Sequence, residues 1–229
     1  MTTTEHMTVE TAYNRWAAHY DTSNNPMVHA ASHALAAGLK AVKGQDCLEF
    51  GCGTGRNLGA MAQADARTVT GIDLSPAMLE QARARNGATS PLNWTLIQHD
   101  MSQAPPLAGA SANFVLFALT LEHIDDLALP LVHARRLLRH NGMIRIVEIH
   151  PFRALTGGRA HFIDGEIDVT MPTFAHQFES WIKAFKKSNL SIENLREWCA
   201  VDFGDAPPST LALRDPHVPW LIDFTLRAR

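Results

Sequence analysis

Apolar residues fall at helical spacing in two stretches near the start of the chain, Met7 to Tyr20 and Met27 to Val42, so two N-terminal helices are expected there. The period then shortens. Gly44-Gln45 punctuates, Asp46 to Phe50 is a short apolar strand, and a glycine-rich turn leads into a helix from Arg56 to about Ala64. Thr68 to Ile72, closed by Asp73, is a β-branched strand. Ser75-Pro76 then starts a helix, with serine as cap and proline at the first helical position, and the helix Ala77 to Arg85 ends near Asn86-Gly87. Asn93 to Gln98 and Ala112 to Leu119 read as strands, the second almost wholly apolar, as suits a parallel strand covered on both faces. A helix from Leu127 to Arg139 stops at Asn141-Gly142, and Met143 to Ile149 is the fifth strand of the series.

This β-α alternation between Asp46 and Ile149 predicts an α/β fold with a doubly wound parallel sheet, which binds ligands outside the carboxyl ends of its strands near the switch point. Residues 151–175 show no clean period and are expected to form a long connection that faces substrate as a lid. A helix from His176 to Asn189, a strand from Ser191 to Cys199, a loop from Asp202 to Pro216 and a closing strand from Trp220 to Leu226 complete the chain. Residues 1–43 thus read as a helical N-terminal lid, and 44–229 as the core that carries the insert.

Composition narrows the functional classes. With 46% apolar and 19% charged residues, the chain has the balance of a folded globular domain. A formal charge of −3 disfavours a phosphate-backbone partner, so no nucleic acid is expected. Cys47, Cys52 and Cys199 are odd in number and lack CxxC spacing, which suggests neither a disulfide framework nor a zinc site and fits a reducing cytoplasm. The first residues carry no basic region followed by an apolar stretch, and the run Phe114 to Leu119 is too short to span a bilayer, so no membrane anchor is expected.

The candidate chemistry lies at the strand ends. Gly51, Gly53 and Gly55 alternate between the first strand and its helix, where they let main chain approach a ligand closely. A dinucleotide enzyme wants a further glycine where this chain has Arg56. Glu49 faces that turn and can hold an ammonium group or simply stabilise the turn. Asp73 ends the second strand, where a carboxylate can accept both hydroxyls of a ribose or serve as a helix N-terminal acid. Asp100 and Met101 end the third, where an acid can accept from an exocyclic amine and a thioether can pack on a ring face. Three acids at successive strand ends, together with the glycine turn, favour binding over structure alone.

These features resemble the class I S-adenosylmethionine-dependent methyltransferases, of the group that includes small-molecule and quinone-biosynthesis enzymes. The resemblance covers nearly the whole chain. It is most specific over Glu49 to Gly55, over Gly71-Ile72-Asp73-Leu74-Ser75-Pro76-Ala77-Met78-Leu79 and over Phe114 to Ile124, and it extends to the aromatic element Tyr13 to Asp21. It implies a Rossmann-like sheet of seven strands whose last strand runs antiparallel, and S-adenosylmethionine as cofactor. It also implies roles: Gly51, Gly53 and Gly55 beside the methionine portion, Asp73 with Leu74 at the ribose, Asp100 and Met101 at adenine, Leu119 offering main chain to the amine, and Tyr13 and Tyr20 as a lid over the carboxylate.

The implied reaction is an in-line displacement on a small-molecule acceptor at O, N or C, which needs alignment in a dry site and, for a protonated acceptor, a general base. His123 and His150 are the leading base candidates, and His161 and His176 flank the lid. A metal is not expected: no histidine spacing matches a ligand pattern, and Asp125-Asp126 reads as a helix's N-terminal charges. Methylation of transfer RNA or protein, and a non-catalytic cofactor-binding module, stand as alternatives.

Overall fold

A computed structural model describes residues 3–23, 25–89, 94–203 and 217–229. The chain opens with β1 (Thr3–His6), α1 (Val9–Trp16) and α2 (Pro26–Ala36), followed by a 3-10 turn at Leu39–Val42. The alternating region is β2 (Asp46–Phe50), α3 (Arg56–Gln63), β3 (Thr68–Asp73), α4 (Pro76–Thr89), β4 (Thr95–Gln98), β5 (Ala112–Ala118), α5 (Ala128–Leu137) and β6 (Leu138–Ile149). Next come α6 (Pro151–Leu155), β7 (His161–Asp164), β8 (Ile167–Thr170), α7 (Phe178–Lys187), β9 (Leu190–Cys199) and β10 (Pro219–Ala228).

Seven strands form the main sheet in the order β4-β3-β2-β5-β6-β10-β9. The pairs from β4 through to β6 are parallel, and β10 slots antiparallel between β6 and β9. The fold is the expected doubly wound sheet with its last strand reversed. Its two faces follow from the two-residue period of a strand. Cys47, Phe114, Leu116, Val147 and Leu221 point to one core with α2 and α3, while Leu48, Phe50, Val115, Phe117, Ile146 and Phe224 point to the other with α5 and α7. The winding reverses between β2 and β5, and the crevice opens there.

Several boundaries differ from the sequence expectation, each for a physical reason. The first helix is not Met7 to Tyr20: Thr8 caps it, accepting from the Thr11 amide, and turns begin after Trp16. The second helix stops at Ala36 rather than running to Val42, because the guanidinium of Arg145, on β6, donates to the carbonyls of Ala34 and Leu35 and closes the last turn. The helix after Ser75 runs through Asn86-Gly87 to Thr89. Asn141 does not stop a helix. It sits in β6 with φ 62°, beside a register shift against β5. Of the expected loop Asp202 to Pro216, the first two residues belong to a 3-10 turn, Ala200–Phe203, and 204–216 lie outside the described residues.

The insert is the largest departure, because residues 151–175 are structured. After α6, strands β7 and β8 form an antiparallel hairpin, and β1 joins β8 in parallel as a third strand. Trp16 of α1 stacks on Phe162 of β7 with ring centroids 4.7 Å apart, in a small core with Ala12, Val169 and Met171. Arg15 binds both Glu5 of β1 and Asp164 of β7, at 2.8 and 2.6 Å. The N-terminal segment and the insert therefore form one cover over the sheet's carboxyl edge.

Candidate active site

At that edge a cleft of about 580 Å³ opens, within the range of small-molecule sites. The turn after β2 forms its floor. Gly51 and Gly53 have φ of 68° and 51°, a region costly for any residue with a side chain. At Gly51 a Cβ would also lie 2.1 Å from Thr120 Oγ1, whereas at Gly53 the space is open, so main chain itself lines the cleft. The Gly51 and Cys52 amides donate to the Ile72 carbonyl, which ties this turn to the end of β3.

The acids expected at the strand tips come together here. Glu49 is buried: Asn57 Nδ2 donates to its Oε1 at 2.7 Å, its Oε2 has no partner among the described residues, and burial pushes its carboxyl up to about 8. Asp73 accepts from the Gly53 amide at 2.7 Å and the Ser75 amide at 2.9 Å, while burial raises its carboxyl above the ordinary range. Asp100 accepts from the Ser102 amide at 2.8 Å and lines the cleft with Leu74 and Met101. Leu119 closes the next wall with φ 53°, a strained value for leucine. Its amide donates to the Val147 carbonyl, and its own carbonyl is the main-chain acceptor it can offer an ammonium.

The cover supplies Tyr13 and Tyr20. Burial holds the Tyr20 phenol at about 12 and pushes the Tyr13 phenol well above 10. Tyr13 Oη lies 2.9 Å from His123 Nε2, and His123 Nδ1 lies 2.8 Å from the Pro172 carbonyl. Burial lowers the imidazole's proton affinity, so His123 is neutral near pH 7.

His150 does not reach the cleft. It is buried, its Nδ1 accepts from the Phe152 amide as the cap of α6, and its Nε2 lies 2.8 Å from Glu197 Oε1. Buried at the start of α6, its ring is not among the groups that line the cleft. His161 pairs with Asp168 on the β7–β8 hairpin, and His176 lines a separate cavity, so of the four histidines singled out only His123 opens on the cleft. Among the described residues no three His, Cys, Asp or Glu side chains gather as a metal set.

Sequence reasoning missed the parts played by three residues. Glu148, at the end of β6, accepts from the amides of Thr120 and Leu121, each at 2.9 Å, and burial raises it to about 7. It shapes the wall that ends at Leu119. The signal was present as an acid near the end of the strand, beside Ile144, Ile146, Val147 and Ile149. Asp21 accepts from Thr54 Oγ1 at 2.9 Å and pairs with Arg85 and Arg56, fastening the cover to the glycine turn. Asn14 does the same at α4, where its Oδ1 accepts from Ser75 Oγ at 2.7 Å.

Residues 47–142, which hold the glycine turn and the first three acids, match the family described as a methyltransferase domain. A demethylmenaquinone methyltransferase of Tropheryma whipplei is 29% identical over 195 residues, 83% of this chain and 77% of that protein. The chain carries a methyltransferase domain and is an S-adenosylmethionine-dependent methyltransferase. An O-methyltransferase of Aspergillus sclerotiorum is 29% identical over half of this methyltransferase. In fold, it resembles an S-adenosylmethionine-dependent methyltransferase of Clostridium acetobutylicum, with TM-score 0.69 and 15% identity over 94% of this chain and 98% of that one. The DhpI–SAH complex is also similar, with TM-score 0.65 and 20% identity over 95% and 94% of the two chains.

S-adenosylmethionine is the cofactor of this methyltransferase, and the residues fit it. The open Oε2 of Glu49 is a buried acceptor that lacks a donor, which the ammonium of an amino acid supplies. The open space over Gly53 admits the chain that carries it. No helix among the described residues is long and apolar enough to cross a membrane.

Proposed function

We propose that this methyltransferase acts on a small organic acceptor, with His123 as the source of basicity. One observation carries the reading. The cleft continues beyond the strand tips under the cover, to Val9, Ile124, Leu129, Pro172 and Phe174, apolar groups with Glu10, Asp125 and Asp126 among them, a lining that suits a compact acceptor. Arg56 is the one Lys or Arg among the described lining residues, and it faces Asp21, so the chamber offers no track for a polyanion. The relative of Tropheryma whipplei is named for demethylmenaquinone and that of Aspergillus sclerotiorum for O-methylation, which supports the same class.

In this reading Glu49 and the Leu119 carbonyl hold the cofactor's ammonium, and Gly51, Gly53 and Gly55 bring main chain beside its methionine portion. Asp73 beside Leu74 holds the ribose, and Asp100 with Met101 holds the adenine. Tyr13 and Tyr20 close the cover. Bound S-adenosylmethionine supplies an electrophilic methyl group. The chain's task is to align acceptor, methyl carbon and sulfur and to keep water out.

The test has two stages. Calorimetry with S-adenosylmethionine is expected to show one site per chain. Incubation with extracts and an isotopically labelled methyl donor is then expected to place label in a small metabolite. Label in RNA or protein overturns the acceptor class, and binding with no label anywhere favours a non-catalytic module.

A further inference from the structure

The hydroxyl of Tyr13 and the imidazole of His123 form a chain that ends on main chain, and its polarity follows from its last member. The Pro172 carbonyl, 2.8 Å from Nδ1, can only accept, so Nδ1 carries the ring proton and Nε2 holds the lone pair. The phenol, 2.9 Å from Nε2, therefore donates to it. This arrangement hides the one basic atom: an acceptor in the cleft reaches the Nε2 lone pair only by displacing the Tyr13 hydroxyl, whereas the phenol oxygen keeps a lone pair of its own. Both residues line the cleft, with Pro172 and Phe174 of the cover beside them.

We propose that Tyr13 takes the proton of the methyl acceptor while passing its own to His123, and that the acceptor is one that must lose a proton, a hydroxyl or an acidic C–H. The inference rests on methyl transfer to a small molecule as proposed above. In the step, the acceptor's O or C forms a bond to the methyl carbon, and the carbon–sulfur bond breaks with its electron pair going to sulfur. The acceptor's proton moves to Tyr13 Oη, and the phenol's original proton moves to His123 Nε2. The product is a methylated acceptor, a neutral thioether and an imidazolium whose Nδ1–H still donates to Pro172.

The surroundings suit a relay rather than a stored phenolate. Burial, with Tyr20, Glu122, Asp73 and Glu148 facing the phenol, keeps Tyr13 protonated. Burial also keeps His123 neutral, and the Pro172 carbonyl that accepts from Nδ1 favours the imidazolium formed in the step. Tyr13 comes from α1, His123 from the loop after β5, and Pro172 from the segment after β8, so the chain of hydrogen bonds is complete only with the cover in place.

The experiment uses the full chain, labelled S-adenosylmethionine and four probes: catechol, a naphthohydroquinone, benzylamine and benzoate. Transfer to a hydroxyl probe is expected in the wild type. Tyr13→Phe is expected to lower kcat about 100-fold while donor affinity by calorimetry falls far less. His123→Ala is expected to fall to a similar level, and the double variant no further, because the two act as a unit. The wild-type rate should rise with pH through the His123 titration, a limb missing from both single variants. Full kcat in Tyr13→Phe with weakened donor binding would make Tyr13 a lid alone and overturn the relay. Transfer to benzylamine or benzoate but to no hydroxyl probe, or to no probe at all, overturns it too. Wild-type protein that does not bind the donor sinks the methyl-transfer reading itself.

Discussion

Glu49 and Asp73 are both buried acids at strand tips, yet they differ in what holds their charge. Both oxygens of Asp73 accept main-chain N–H groups, whereas one oxygen of Glu49 waits for a partner. A carboxyl at about 8 must give up its proton to meet an ammonium, so donor binding near pH 7 should release protons. Calorimetry in buffers of different ionisation heat is expected to show that release in the wild type and to lose it in Glu49→Gln. Asp73→Ala should weaken donor affinity by roughly 10- to 100-fold, the cost of charge-assisted bonds to a ribose. Unchanged affinity in the folded variant would contradict the ribose assignment. All three tip acids were legible in the sequence, because they follow apolar runs. The pairing of His150 with Glu197 was not, since the two lie 47 positions apart.

Among the elements, the cover shows most clearly how context makes structure. Thr3–His6 is exposed throughout and has no apolar period, so nothing local marks it as a strand, and β8 supplies the ladder it joins. Arg15 ties both ends of this small sheet together while itself partly exposed. Arg15→Ala should therefore leave the main sheet intact and loosen the cover alone. Hydrogen exchange is expected to quicken at residues 3–6 and 161–170 and to stay unchanged in β5 and β6. Equal quickening in β5 would show that the cover and the sheet open together.

For the molecule as a whole, one buried ion pair joins the N-terminal helices to the sheet. Arg145 donates to Asp223 at 3.0 and 2.7 Å as well as to the end of α2, and Trp198 Nε1 donates to the same carboxylate at 3.1 Å. Removing one partner strands the other in the core, at about 3–5 kcal/mol. Arg145→Ala is accordingly expected to lower Tm by roughly 10 °C, read by thermal melting. The buried acids set a pH slope of their own. Glu49 and Glu122 are each raised from 4.5 to about 8, and Glu148 to about 7. Acids that bind protons more tightly folded than unfolded cost nothing below the unfolded value, and their penalty grows as pH climbs between the two. Melting of the unligated protein should thus show stability falling from pH 4.5 toward about 8, with a shallower fall in Glu122→Gln. An equal slope in the variant would remove Glu122 from the account.

By itself the sequence determined the alternation of elements, the two-faced parallel strands and the acids and glycines at their tips, because each depends on periods and turns within a few residues. Tertiary structure decided the rest. It turned an unpatterned insert and a polar N-terminus into one sheet, and ended a helix with an arginine from a distant strand. It also set His123 on the cleft and His150 in a helix cap by giving each imidazole its partners. Those outcomes rest on contacts between segments more than a hundred residues apart, such as Tyr13 with His123 and Arg145 with Ala34, and no local pattern encodes which distant group fills a buried hydrogen bond.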